Sequence, residues 1–196
     1  MSDSMHDTDV GPRRYSRVEY ERLVERGEIA PDERLELIGG VLVARDRQRD
    51  THAFGAEMTA AALQKAFGIG YRVRVQLPVA LDEESEPEPD VSVVRGSLAQ
   101  ADRTLPSRPE LIVEVAESSL TFDRREKASL YARARVEDYW IVNLVSRVLE
   151  VHREPVVDDR APYGWRYAST RTLTAVDVVF PLSAPLSRIA ISDLLP

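Results

Sequence analysis

The chain has 196 residues, 43% of them hydrophobic and 30% charged, with a net charge of −7 and no cysteine. That length suits one globular domain with a substantial core, and the missing cysteines exclude disulfides and thiolate metal centres. Three histidines without HxxxH spacing argue against zinc, so a metal here would be a hard cation on oxygen ligands, Mg²⁺ or Mn²⁺. The acidic balance argues against a protein that coats nucleic acid generally, but leaves room for a local basic strip. No apolar run approaches the roughly 18–20 residues needed to cross a bilayer, and the N-terminus lacks the apolar segment of a secretory signal. The expected location is the cytoplasm.

Residues 1–14 are polar and aperiodic and are expected to form a disordered tail, followed by one domain over 15–196. Residues 16–27 predict a helix with Val18, Leu23 and Val24 on its apolar side and Gly27 as its stop. "RLELIGGVLVAR" predicts a hairpin, because Gly39-Gly40 can adopt the positive φ of a tight turn. Residues 50–68 predict an amphipathic helix capped by Asp50 or Thr51, with Phe54, Met58 and Ala61 on its apolar line. "YRVRVQL" alternates like a half-exposed strand. The acidic stretch 83–88 predicts a solvated bend, and residues 91–94 a strand. "LIVEVA" predicts a central strand covered on both faces, and 123–135 a helix opened by an Asp123/Glu126 capping box. "DYWIVN" and "RVLEVHRE" predict two further strands, and short β-like pieces follow. Helices interleaved with strands in this order predict an α/β (α+β) fold with a mixed sheet. No G-x-G-x-x-G or P-loop is present.

Three residues combine into possible chemistry. Asp90 opens a strand that otherwise reads as buried, and Glu114 is the one polar residue of "LIVEVA". An unpaired buried carboxylate is costly, so each needs a partner or a cation. For Glu114 alone, a salt bridge to a buried arginine is an equal alternative. Lys127 precedes Leu130, Tyr131 and Ala134 by three, four and seven residues, which aims it at the sheet; its alternative is a snorkelling side chain. Two carboxylates on adjacent strands can hold a divalent cation, which lowers the pKa of bound water and offsets phosphoryl charge. A nearby ammonium can orient that water and stabilise developing negative charge. Phosphodiester hydrolysis needs these parts.

The ordered set "EPEPDVSVV", "LIVEVAESSLTFDRREKASLYARARVEDYWIVN" and the upstream "LELIGGVLV" closely resembles the bacterial Uma-two family of restriction-endonuclease type, in the PD-(D/E)XK nuclease superfamily. The matching positions are Pro89-Asp90, Glu114-Val115, Asp123 with Lys127, Tyr131-Ala132 and Asp138-Tyr139-Trp140, over roughly residues 15–155. The resemblance implies a restriction endonuclease-like fold and metal-dependent cleavage of DNA. It implies Asp90 and Glu114 as metal ligands, with the Val115 carbonyl a third, and Lys127 as the residue that orients water or stabilises charge. Glu36 matches an acidic position of the hairpin and stands equally as a site residue or an exposed strand carboxylate. His52 matches a position where the family often has histidine, as a structural or phosphate-contacting residue. The superfamily's basic motif puts its lysine two residues after the acid, where this chain has Ala116; the lysine instead sits on the following helix, as the family's pattern implies.

Arg124, Arg125, Arg133 and Arg135 are candidate phosphate contacts, although one helix cannot turn all four toward one ligand. A homodimer is expected, since two-fold related sites most simply cut both strands of a duplex. Two other readings compete: a non-catalytic nucleic-acid- or protein-binding module on the same fold, and a metal-independent hydrolase using Asp90 and Glu114, which leaves Lys127 without a role.

Overall fold

The computed structural model describes residues 13–30, 33–45, 49–96 and 105–196. The first helix, α1 (Arg17–Glu25), starts at Ser16, whose hydroxyl accepts from the Glu19 N–H while the Glu19 carboxylate accepts from the Ser16 N–H. This reciprocal cap satisfies two otherwise orphaned donors. A hairpin follows, β1 (Leu35–Ile38) and β2 (Val41–Ala44), turning at Gly39 and Gly40 with φ of 55° and 83°. Then come the long helix α2 (Asp50–Phe67) and the strands β3 (Tyr71–Val75), β4 (Val91–Arg95) and β5 (Leu111–Ala116).

Next is a continuous helical run. It consists of α3 (Leu120–Phe122), one π-helical turn over Asp123–Lys127, and α4 (Ala128–Arg133). The strands β6 (Asp138–Asn143), β7 (Val148–Val157) and β8 (Trp165–Leu173) complete a six-stranded sheet of order β3-β4-β5-β6-β7-β8. Neighbouring strands are antiparallel except β5 and β6. That parallel pair is joined by the α3–α4 run, as a parallel connection requires a crossover. A short pair, β9 (Val178–Val179) with β10 (Ile189–Ala190), and a 3₁₀ turn over Ile191–Asp193 close the chain. The expected mixed-sheet α+β architecture is present.

Each face of the sheet is covered. Val91, Val93, Val113, Val115, Trp140 and Val142 pack against Ala56, Ala60, Leu63 and Phe67 of α2. Ile112, Ala116, Tyr139 and Ile141 pack on the other face against Ala128, Tyr131 and Ala132 of α4. Side chains alternate across a strand, so Glu114 shares the α4 face with Ile112 and Ala116.

Several expectations need correction. Val18 and Val24 of α1 are exposed, and Tyr20 is the buried contact, its hydroxyl donating to the Leu35 carbonyl at 2.9 Å. On α2 the packed face is Gly55, Ala56, Thr59, Ala60, Leu63 and Phe67, while Phe54 is 55% exposed. The approach is tight at Gly55, where a Cβ would stand 3.1 Å from Val115 Cγ1, while Leu63 and Phe67 fill the space further along the helix. The position before α2 is Arg49, which makes no side-chain cap.

The acidic bend is not simply solvated. Glu86 is buried, its N–H donates to the Leu37 carbonyl at 2.8 Å, and its carboxylate pairs with Arg17 at 3.1 Å. Asp82, Glu84 and Glu88 pair with Arg133, Arg14 and Arg45. Arginines from four separate stretches of the chain, Arg14, Arg17, Arg45 and Arg133, thus fasten this bend. Of the expected tail, residues 1–12 lie outside the described ones; Arg14 donates to the Gly39 carbonyl at 2.7 Å.

Candidate active site

Four acids converge where the β4 start meets the end of β5. Asp90 sits one position before β4, and β4 pairs with β5 through Val91 opposite Val113. The Val115 N–H therefore lies past the last ladder partner, and the Asp90 carboxylate takes it instead, Oδ2 accepting at 2.8 Å. Asp90 Oδ2 also faces His52 Nε2 at 3.1 Å, and Oδ1 faces Arg45 at 3.3 Å. Gly55 permits the close approach of α2 that brings His52 of its first turn to this strand end.

Glu114 is 2% exposed. Its Oε1 accepts from Lys127 Nζ at 3.0 Å and from the Tyr131 hydroxyl at 2.6 Å, and the Asp90 N–H lies 3.4 Å from Oε2. Glu36, equally buried, reaches the same lysine at 3.1 Å, and its second oxygen accepts from the Glu88 N–H at 3.0 Å. The bridge from Leu37 to Glu86 sets this hairpin against the segment leading to Asp90.

The helical run supplies the rest. Asp123 is not a cap but an internal helical residue, 2% exposed, whose carboxylate accepts from the Ser119 hydroxyl at 2.6 Å. The run starts at Leu120, after Ser119, so the sequence's Asp123/Glu126 box has no helix end to close. At an α-helical pitch, residues four apart drift by about 40° around the axis. The π turn, in which the Ala128 N–H reaches back to the Asp123 carbonyl, widens the coil and keeps Asp123 and Lys127 both buried on the inner side. The Tyr139 hydroxyl also donates to that carbonyl, at 3.1 Å.

Glu36, His52, Asp90, Glu114, Asp123 and Lys127 line a cavity of about 310 Å³, together with Arg45, Arg49, Ser118, Ser119 and Phe122. Its electrostatics are unbalanced. Burial pushes the Glu114 carboxyl up to about 8, and Asp90, Asp123 and Glu36 add to this against the pull of Lys127. Burial pushes Asp123 up to about 6. Asp90 is also opposed by burial, yet the His52 and Val115 hydrogen bonds and Lys127 hold it below the ordinary value. Burial alone would lower Lys127, but Glu114, Glu36, Asp123 and Asp90 together raise it above an ordinary lysine. Its ammonium is a permanent donor, and it has no lone pair with which to accept a proton.

The donor chemistry fits a hard divalent cation. Among the described residues no group of three or more His, Asp or Glu side chains is arranged to hold a metal. Mg²⁺ does not need such a cage, since one or two carboxylates with water and substrate phosphate suffice. Asp90 and Glu114 are the carboxylates that could supply that pair. In an extended strand, N–H and C=O of one residue leave on the same edge, which puts the Val115 carbonyl beside the N–H that Asp90 takes. The cluster also holds more carboxylate than Lys127 and Arg45 can neutralise, and added positive charge would relieve it.

The structure thus gathers Asp90, Glu114, Lys127, Glu36, His52 and Val115. Arg124 lies apart, in a two-pronged pair with Glu150 at 2.9 and 2.6 Å, and Arg125 is exposed beside Glu126. Arg133 pairs with Asp82, and Arg135 lies over the Trp165 ring. Sequence reasoning missed Arg45 and Arg49, gave Tyr131 a place in the motif but no role, and treated Asp123 as a cap. For Arg45 a signal existed: Glu36 pairs with Val43 across the hairpin, so two-residue alternation sets Arg45 on Glu36's side. For Asp123 and Tyr131 the signal was the spacing of four on either side of Lys127.

Residues 17–185 match the family Uma2, described as "Putative restriction endonuclease". The chain belongs to the Uma2 family. Among solved structures, one described as "a putative nuclease belonging to DUF820", from Anabaena variabilis, is similar to this Uma2 chain. It aligns with a TM-score of 0.65 at 16% identity, covering 88% of this chain and 96% of that one. At that identity the likeness shows the fold, which is restriction endonuclease-like. Comparison with curated proteins gives no significant match. Among the described residues of this Uma2 member, no helix is long and apolar enough to cross a membrane.

Proposed function

We propose that this Uma2 protein is an endonuclease that hydrolyses phosphodiester bonds of DNA in the Asp90–Glu114 cavity with Mg²⁺ or Mn²⁺. The observation that carries the reading is the meeting of Asp90, Glu114 and a buried Lys127 at one open strand end. Asp90, Glu114 and the Val115 carbonyl would hold the cation, which supplies an activated water and offsets phosphoryl charge.

The chain's own residues do the remainder. Lys127, fixed by Glu36 and Glu114, keeps its charge. It donates to water or to the phosphate oxygens as charge develops and does not act as the base. Tyr131 fixes the Glu114 carboxylate, and its own hydroxyl, raised well above the usual value by burial, stays a donor. His52 and the Val115 N–H orient Asp90. Glu36 positions Lys127 from the hairpin. In this reading residues 15–196 act as one nuclease domain, paired as a homodimer to cut both strands of a duplex.

The test is incubation of plasmid and single-stranded DNA with and without Mg²⁺ or Mn²⁺, beside Glu114→Gln and Lys127→Met. Cation-dependent cleavage lost in both variants is expected. Cleavage unchanged in both rejects the assignment, and absence of cleavage with absence of cation binding favours a binding module.

A further inference from the structure

We propose that Arg45 is a displaceable counter-ion: it holds Asp90 in the cation-free protein, yields that place to the divalent cation, and turns to the substrate phosphate. The inference rests on the nuclease reading above and assigns a role to a residue outside the acid–lysine set.

Arg45 follows β2 and lines the cavity, and its side chain is only 10% exposed. One guanidinium nitrogen contacts Glu88 at 3.0 Å and the other contacts Asp90 Oδ1 at 3.3 Å. Oδ2 of Asp90 already accepts from the Val115 N–H and faces His52. A cation bound to Asp90 must therefore approach from the Oδ1 side, where Arg45 stands.

Guanidinium and divalent cation would repel each other across one carboxylate oxygen. Both contacts exceed the 2.7–2.9 Å of a well-formed charge-assisted bond, the Asp90 one at 3.3 Å by more than the Glu88 one at 3.0 Å, so Glu88 is the natural pivot. A guanidinium released from Asp90 keeps planar N–H pairs that match phosphate oxygens. The neighbouring cations are less suited to the exchange. Lys127 is locked between two acids, and Arg49, 76% exposed, pairs with Glu117 at the mouth.

The experiment measures Mn²⁺ binding to the DNA-free protein by calorimetry, and binding of a short fluorescent duplex with Ca²⁺ present. Removing the competing charge in Arg45→Met should tighten Mn²⁺ about tenfold and weaken the duplex about tenfold. Arg45→Lys, which keeps the charge, should hold Mn²⁺ affinity within about twofold of wild type. Opposite signs on the two ligands are the signature, since loosening of the site would weaken both. Thermal melting without cation checks folding, and Arg45→Gln is a second charge removal expected to behave like Met.

Mn²⁺ binding that is lost in Glu114→Gln but not tightened in Arg45→Met or Arg45→Gln overturns the Arg45 role and leaves the nuclease reading standing. Equal tightening in Arg45→Lys overturns it too. No cation bound and no cleavage in any variant overturns both.

Discussion

Lys127 and Glu114 form a buried ion pair at 3.0 Å, thirteen positions apart in the chain. The pair does not neutralise its surroundings, because Glu36, Asp90 and Asp123 also face it. Surplus buried carboxylate is destabilising by itself and is retained where function needs it.

Glu114→Gln and Lys127→Met should therefore separate activity from stability. Gln keeps an oxygen for the Lys127 and Tyr131 donors, turns its NH₂ only toward the long 3.4 Å contact with the Asp90 N–H, and removes a carboxylate that burial disfavours. Its melting temperature should equal or exceed that of wild type, while cleavage falls by about 10³-fold or more. Lys127→Met leaves Glu36 and Glu114 without their cation and should cost about 3 kcal/mol, with cleavage also lost. Urea titration beside a plasmid assay reads both effects. A Glu114→Gln protein that is strongly destabilised would contradict the surplus-charge account.

Asp90→Asn should behave oppositely to Glu114→Gln. Asp90 accepts from the Val115 N–H and faces His52 and Arg45, so both oxygens meet donors. An amide presents one NH₂ to one of those donors, whichever way it is turned. The expected loss is about 1–3 kcal/mol, with cleavage abolished. Denaturant midpoints of the two variants measured together test the contrast.

Glu86 gives a pH dependence away from the cavity. Burial pushes its carboxyl up from an ordinary 4.5 to about 7, with Glu21 adding and Arg17 opposing. The folded state thus binds this proton more tightly than the unfolded state. Glu86's contribution falls as pH rises between about 4.5 and 7, and above 7 the full cost is present. Glu86→Gln should raise stability at pH 8 by about 1–3 kcal/mol and leave it nearly unchanged at pH 4. Thermal melts at both values decide it. A variant less stable at pH 8 would show that the Arg17 ion pair outweighs the burial cost.

The hairpin turn should be intolerant of a side chain. Gly39 has φ of 55°, and a Cβ there would run into the Tyr163 ring. Gly39→Ala combines left-handed strain with that clash, for an expected loss of about 2 kcal/mol. Because β1 carries Glu36 to Lys127, cleavage should fall beyond what stability explains. Tyr163→Ala in the same chain should restore part of the stability and none of the strain, as read by melting temperature.

Much of the fold was legible because its signals are local. Gly39-Gly40 predicted a turn at positive φ, and "LIVEVA" predicted a strand covered on both faces from its own residues. The inward aim of Lys127 followed from helical spacing alone. The errors share another cause. Phe54 looked like a core residue, but the packing of α2 turns the face of Gly55, Ala56, Thr59, Ala60, Leu63 and Phe67 to the sheet and leaves Phe54 outside it. Glu83 to Glu88 looked solvated because the arginines that pair with the bend come from residues 14, 17, 45 and 133. Asp123 read as a cap because composition cannot announce a π turn, which depends on what the widened coil packs against.

By itself the sequence determined the elements, the two-faced core strand and the identities of the carboxylates and lysine, since periodicity and residue chemistry act over a few neighbours. Only the tertiary structure decided which groups meet. Arg45 reaches Asp90 because the hairpin is stitched to the acidic bend, and His52 reaches it because Gly55 lets a helix approach a strand end. Charge balance in the cavity is likewise a property of the meeting. A carboxyl near 8 and a lysine held charged arise when four acids are buried around one cavity, and no single stretch of chain contains that cavity.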